Sequence, residues 1–340
     1  MTMLRFRDYI QYVYESVKDE SKPSSDTKGK LHELLVGYHL NGGNHMDHHE
    51  DKAGDSPEIA HDKLKSSIKP EHYQKIFDRA KSAADDIRKS AETAGHKITK
   101  VHWTSKPGDL KKSTGIDASQ TQDASDIVVH TSNGKKTKFH GISLKVTDSA
   151  NKQIPVSNPG MSSTLGGELI HNKHKDSIIA AYPEIGKASN KEKRAKILSD
   201  NPKMAADIKA RNITTLRSVA NNLHSKLSNM KSEDLVQHIR NHVLASNTTP
   251  MQAQGHNHIR HTTYEKRGKI EHHAIDPSSH FEHILQDHKN ISVQHSGTAV
   301  HFYHTDPKTG KKTKFASHRI KFGSQSDPLS TIKGSGVAHV

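Results

Sequence analysis

The chain has 340 residues, 51 lysines and arginines against 37 aspartates and glutamates, a net charge of +14, and no cysteine. Hydrophobic residues make up 31% and mean hydropathy is −0.84, which excludes one large apolar core and predicts long polar connections around modest ones. The missing cysteine excludes disulfide frameworks, thiol nucleophiles and Cys-based zinc or iron–sulfur sites together. No apolar run approaches membrane-spanning length, and the N-terminus lacks a signal peptide's apolar segment. These features predict a reducing, cytoplasmic compartment, no membrane partner, and a polyanionic partner, nucleic acid first. Charge for solubility alone is the plain alternative.

Taken in order, Leu4 to Val17 has helical periodicity (Leu4, Phe6, Ile10, Val13, Tyr14, Val17). A Ser/Pro/Lys-rich break at Asp19 to Lys28 follows, then a helix over Lys30 to Leu40 stopped by Gly42-Gly43. Asn44 to Ser56 reads as a polar loop, and Pro70 opens a long helix to about Ala94. Ile98, Val101 and Trp103 open a strand, and a polar loop runs from Thr104 to Ser125. Asp126 to Thr131 and Lys138 to Val146 form two strands around Asn133-Gly134, a strong hairpin signal. Asn158 to Gly167 reads as a flexible loop, and Lys187 to Leu244 as helical. Asn247 to Asn257 reads as a linker. The last eighty or so residues are strand-rich, with a helix near Pro277 to Gln286 and a hairpin around Asp306 to Gly310. Three regions result: 1–186 as core with N-terminal helices, 187–248 as a helical segment, and 249–340 as a basic strand-rich region. The class is mixed α/β (α+β).

The chemistry concentrates in the Asn-Gly hairpin. With its centre near Gly134-Lys135, Ile127 pairs with Ile142 and Asp126 with Ser143. Alternation with period two then places Ser143 and Lys145 on one face with Asp126 beside them. Ile127, Val129, Ile142, Leu144 and Val146 fill the other face. A carboxylate holds a hard divalent cation such as Mg2+ through oxygen, and a nearby lysine orients water or neutralises developing charge. Glu33, among Lys28, Lys30 and His32 on the preceding helix, is the candidate for completing the ion's shell.

A helix bearing Glu, a strand, an Asp strand, a hairpin and a Ser-x-Lys strand, in that order, resemble the PD-(D/E)xK nuclease superfamily. Glu33, Asp126 and Ser143-Leu144-Lys145 stand at its motif positions. The stretch from His102-Trp103-Thr104 through Ser125-Asp126-Ile127 is similar to restriction enzymes, in which a long loop leads to a Ser-Asp-Ile strand. The resemblance covers roughly residues 28–169. It implies a restriction-endonuclease-like mixed central sheet flanked by helices and an endonuclease that hydrolyses DNA phosphodiester bonds with Mg2+ or Mn2+. It further implies Asp126, Glu33 and the Leu144 carbonyl as ligands, Lys145 positioning the attacking water, and Ser143 at the second-ligand position. Most members carry an acid where Ser143 stands, and a hydroxyl is a weaker, neutral ligand. A homodimer is left open.

Three observations favour other readings. Ser143 suits a non-catalytic DNA-binding or virion-associated protein on a degenerate nuclease fold. Met3 to Ile10 is similar to the amphipathic starts of many tailed-phage proteins, which would place the chain in a host cytoplasm or a virion. Gly134 to Phe139 recurs letter for letter as Gly310 to Phe315, followed by Arg319-Ile320-Lys321, with Phe302 expected opposite the serine's counterpart, so basic hairpins arise here without a carboxylate. The 29 histidines read as surface composition whose charge rises as pH falls. His280 and His283, three apart, have the spacing of a zinc pair, but no His-Glu-x-x-His arrangement accompanies them. The glycines of 158–167 have no Walker ending, and no nucleophile elbow is present.

Overall fold

The computed structural model describes residues 24–47, 53–119, 122–147, 153–157, 167–324 and 327–339. The helical reading of Leu4 to Val17 and the loop reading of 158–166 lie outside them. The fold is α+β, with two five-stranded sheets. The chain divides into two compact units, 1–150 with 248–276, and 151–247 with 277–340. This replaces the three-part division at 186 and 248. The reason is pairing: the supposed linker ends in a strand whose backbone completes the first sheet, so 248–276 belongs with the N-terminal residues.

In the first unit, helix α1 (Ser25–Leu40) begins earlier than its periodicity suggests, because the Ser24 side chain caps it by accepting the Thr27 N–H at 3.1 Å. Helix α2 (Pro57–Ser66) follows, capped by Ser56 and with Pro57 in its first turn. Helix α3 (Pro70–Thr93) matches its expected span. Strands β1 (Lys97–Trp103), β2 (Ile127–Ser132) and β3 (Thr137–Thr147) form an antiparallel meander. β5 (Asn257–Lys266) adds parallel to β3, and β6 (Lys269–Ile275) closes the edge. The sheet order is β1-β2-β3-β5-β6.

Leu31, Leu34 and Leu35 of α1 and Ala80, Ala83 and Ala84 of α3 pack with Val101, Trp103, Ile127, Val129, Ile142 and Leu144 in one core cluster. Small alanines let α3 lie close, and each buried Leu or Ile side chain contributes roughly 1.5–3 kcal/mol. Toward β5 and β6 the same helix changes to polar contacts. Asp86 meets His261 at 3.0 Å, Ser82 meets His272 at 2.8 Å, and Arg79 donates to Glu265 at 2.9 Å.

In the second unit, sheet order is β4-β10-β9-β8-β7, antiparallel throughout. The strands are β4 (Gln153–Ser157), β7 (Ile291–Ser296), β8 (Ala299–Thr305), β9 (Lys312–Phe322) and β10 (Ile332–His339). The expected helical stretch is a series ending in a 27-residue helix (Pro202–Ser228), a shorter one (Ser232–His238) and a π turn (Ile239–Leu244). Among the described residues no helix is long and apolar enough to cross a membrane.

Candidate active site

The register at the first hairpin is the expected one: Ile127 faces Ile142. The turn is made by Asn133, whose Oδ1 accepts from Lys135 N and Lys136 N, both at 3.1 Å, and by Gly134 at φ 83°. A left-handed φ suits glycine there. β2 begins only at Ile127, whose partner is Ile142, while β3 continues to Thr147. Asp126 therefore sits where the two strands part. Its backbone is still pinned: its N–H donates to Ile142 O at 2.9 Å, and its carbonyl accepts from Thr104 N at 3.1 Å.

The Asp126 side chain turns to the free edge of β3. Its Oδ2 accepts from Leu144 N at 2.7 Å, Lys145 Nζ at 3.0 Å and Ser143 Oγ at 3.3 Å. None of these three bonds uses Oδ1. A strand residue's N–H and C=O project from the same edge, so the Leu144 carbonyl opens toward the same place as its N–H. The ion pair is partly open to solvent, with the Lys145 side chain 39% and the Asp126 side chain 22% exposed. Ser143 is buried.

Glu33 reaches the same place from α1. Burial and, next, the Asp126 carboxylate push its carboxyl up to about 8; Lys145, the Trp103 indole and Lys30 act in the opposite direction. Lys30 lies over the Trp103 ring at 5.4 Å from its centroid, which ties the first turns of α1 to the end of β1. Neighbouring His32 is buried and neutral, its pKa lowered to about 3 chiefly by burial. Asp126, Lys145, Ser143 and Glu33 are thus brought together.

Sequence reasoning places strands in the C-terminal region but misses that β5 pairs with β3. Its parallel register puts His258 beside Gly141, Arg260 beside Ser143 and Thr262 beside Lys145. Arg260 is buried, which lowers its pKa to about 10, while Asp126 and Asp123 act to raise it. Asp123 is buried as well. Burial would raise its pKa, but His258, 3.2 Å from Oδ1, and Ser125 together hold it below the usual carboxylate range. The Ser125 hydroxyl donates to Asp123, and Gly141 leaves the room this needs, because a Cβ there would run into the Ser125 oxygen. The alternation His256-x-His258-x-Arg260 was the available signal, one strand with every second residue basic.

The histidines are not mainly surface composition. His32, His102, His174, His238, His258, His261 and His318 are all buried, where an imidazole fills core volume, and His174 also meets Asn212 Oδ1 at 2.7 Å. His280 and His283 do not share a helix, since the helical run breaks at Phe281. Among the described residues no group of three or more His, Asp or Glu side chains is arranged to hold a metal ion.

Comparison of the chain with family models, with curated proteins and with solved structures finds no match in any of the three.

Proposed function

We propose that the protein is a cation-dependent DNA endonuclease acting through Asp126, Lys145 and Glu33. The observation that carries this reading is the meeting of Asp126 with Lys145 at 3.0 Å beside a second carboxyl whose proton affinity the first one raises. Two carboxyls that repel each other in a half-buried site favour a shared cation. Mg2+ keeps several waters and needs only one or two protein carboxylates, so Asp126 and Glu33, with the Leu144 carbonyl, suit it or Mn2+. Bound there, the ion supplies polarisation of the phosphate and a lower pKa for the attacking water.

The chain's own groups do the rest. Lys145 donates one N–H to Asp126 and has two more, which hold a water or a phosphate oxygen. Arg260, one strand over, places a second positive charge on the same face. The Leu144 N–H fixes the Asp126 carboxylate, so its orientation does not depend on the ion. The +14 charge supports a polyanionic substrate, with DNA as the first choice.

Ser143 favours a second reading, DNA binding without cleavage, because a buried hydroxyl that donates to Asp126 adds no charge for a cation. A plasmid-nicking assay decides between them. Mg2+-dependent nicking that Asp126→Ala and Lys145→Ala each abolish is the expected result. Unchanged nicking in both variants refutes the assignment, and salt-sensitive binding with no nicking by the unmodified chain selects the second reading.

A further inference from the structure

The five strands of the second sheet contain no aspartate and no glutamate, and their five lysines and arginines are Lys312, Lys314, Arg319, Lys321 and Lys333. Register puts all of these on one face. Val300 pairs with His318, Phe302 with Ala316, and Ile332 with Phe322; these buried residues form the inner face. The opposite face then carries Arg319, paired with Ala299, and Lys321, paired with Lys333. A bulge between Phe302 and Tyr303 shifts the alternation by one residue, which brings Lys314, opposite Tyr303, and Lys312, opposite Thr305, to that outer face too.

Two histidines sit among these cations. His301 Nδ1 and His339 Nε2 each lie 2.8 Å from Ser317 Oγ, which locks both rings across three strands. Burial, then Lys314 and Arg319, keep both neutral. Lys312, Arg319, Lys321 and Lys333 are exposed. Among the described residues no carboxylate pairs with Lys312, Lys314, Lys321 or Lys333. Like charges crowded on a rigid sheet repel, and a polyanion laid across them relieves the repulsion.

We infer that this outer face of β8, β9 and β10 docks the phosphate backbone of duplex DNA. The inference shares its polymer with the proposed endonuclease but uses other residues, and it requires no divalent cation. Its test is fluorescence anisotropy of a labelled duplex with the full chain in EDTA, repeated over a range of salt. Each lost phosphate contact lowers the slope of log affinity against log salt by about 0.9. Lys321→Gln with Lys333→Gln should therefore lower it by about 1.8 and weaken binding on the order of tens-fold near 0.1 M salt. Lys187→Gln with Lys196→Gln removes the same charge from exposed helical positions of the same unit and should leave the slope unchanged. Equal slopes for the two double variants overturn the inference, as does displacement by poly-glutamate that matches displacement by unlabelled duplex. Loss of nicking in Asp126→Ala leaves it untouched.

Discussion

The two sheets each contain a hairpin that carries the stretch Gly-Lys-Lys-Thr-Lys-Phe, and only the first sets a carboxylate beside its lysine. Both turns use an acidic or amide side chain to gather backbone N–H groups: Asn133 in the first, and in the second Asp306, whose Oδ1 accepts from Lys308 N at 2.8 Å. Both then run Gly-Lys-Lys-Thr-Lys-Phe into a strand that carries Ser143-Leu144-Lys145 or Arg319-Ile320-Lys321. In the first hairpin the partner strand stops one residue short and Asp126 turns across to the lysine. In the second, pairing continues and Ala299, not the expected Phe302, faces Arg319, because the turn is longer and already pairs Thr305 with Lys312; the bulge at Phe302/Tyr303 moves the register back by one residue only. One carboxylate at a strand end thus separates an ion-paired lysine from a purely cationic surface.

The sharpest way to break this comparison is to remove the two corresponding lysines. Lys145→Ala should reduce the nicking rate by about 10²–10⁴-fold, the range for a positioned acid–base or charge-stabilising group. Lys321→Ala should leave the rate at saturating DNA unchanged. Equal effects on that rate would mean that the two hairpins do the same work.

Core truncation is the next largest effect. Ile142→Ala, next to Asp126's backbone anchor, should cost about 2–5 kcal/mol in urea unfolding. It should also weaken nicking, because Asp126 N is held by the Ile142 carbonyl.

Buried groups make stability depend on pH in both directions, and buried histidines such as His32 in the first unit and His318 in the second act on the acid side. His318 in the second unit has a pKa of about 3, and His238 and His339 about 4, against the ordinary 6.5 that holds when unfolded. The unfolded chain therefore takes up protons first. Stability is full above about pH 6.5 and is lost as pH falls from 6.5 toward 4. The urea midpoint should drop over that window, and His318→Gln should flatten the drop. Glu33 in the first unit acts the other way. Its folded pKa of about 8 lies above the ordinary 4.5, so the folded chain keeps a proton that the unfolded chain has lost, and stability falls as pH rises from 4.5 to 8. Glu33→Gln should remove this alkaline loss and raise the midpoint at pH 8, the smallest of these effects.

Much of the first unit was legible from local signals. Asn133-Gly134 set the turn, and alternation through Ile127, Val129, Ile142 and Leu144 set the register, so Asp126, Ser143 and Lys145 could be placed together before any coordinates. Ser24 as a cap was missed because Pro23 and the lysines around it read as a break. What sequence could not give is the partner of β3 on its other side. β5 lies more than a hundred residues further on, parallel pairing has no turn to announce it, and the boundary between units therefore fell in the wrong place. Histidine was misread for a physical reason as well: a residue that titrates near neutrality in water is held neutral when buried, and composition alone does not distinguish the two.

The central claim, that Asp126 and Glu33 share a divalent cation beside Lys145, is tested most directly by Mn2+ binding to the full chain, followed by electron paramagnetic resonance. One bound ion per chain that is lost in Asp126→Asn, weakened in Glu33→Gln and kept in Lys321→Ala is the predicted result. No bound Mn2+ in the unmodified chain, or binding that survives both carboxyl substitutions, would contradict it.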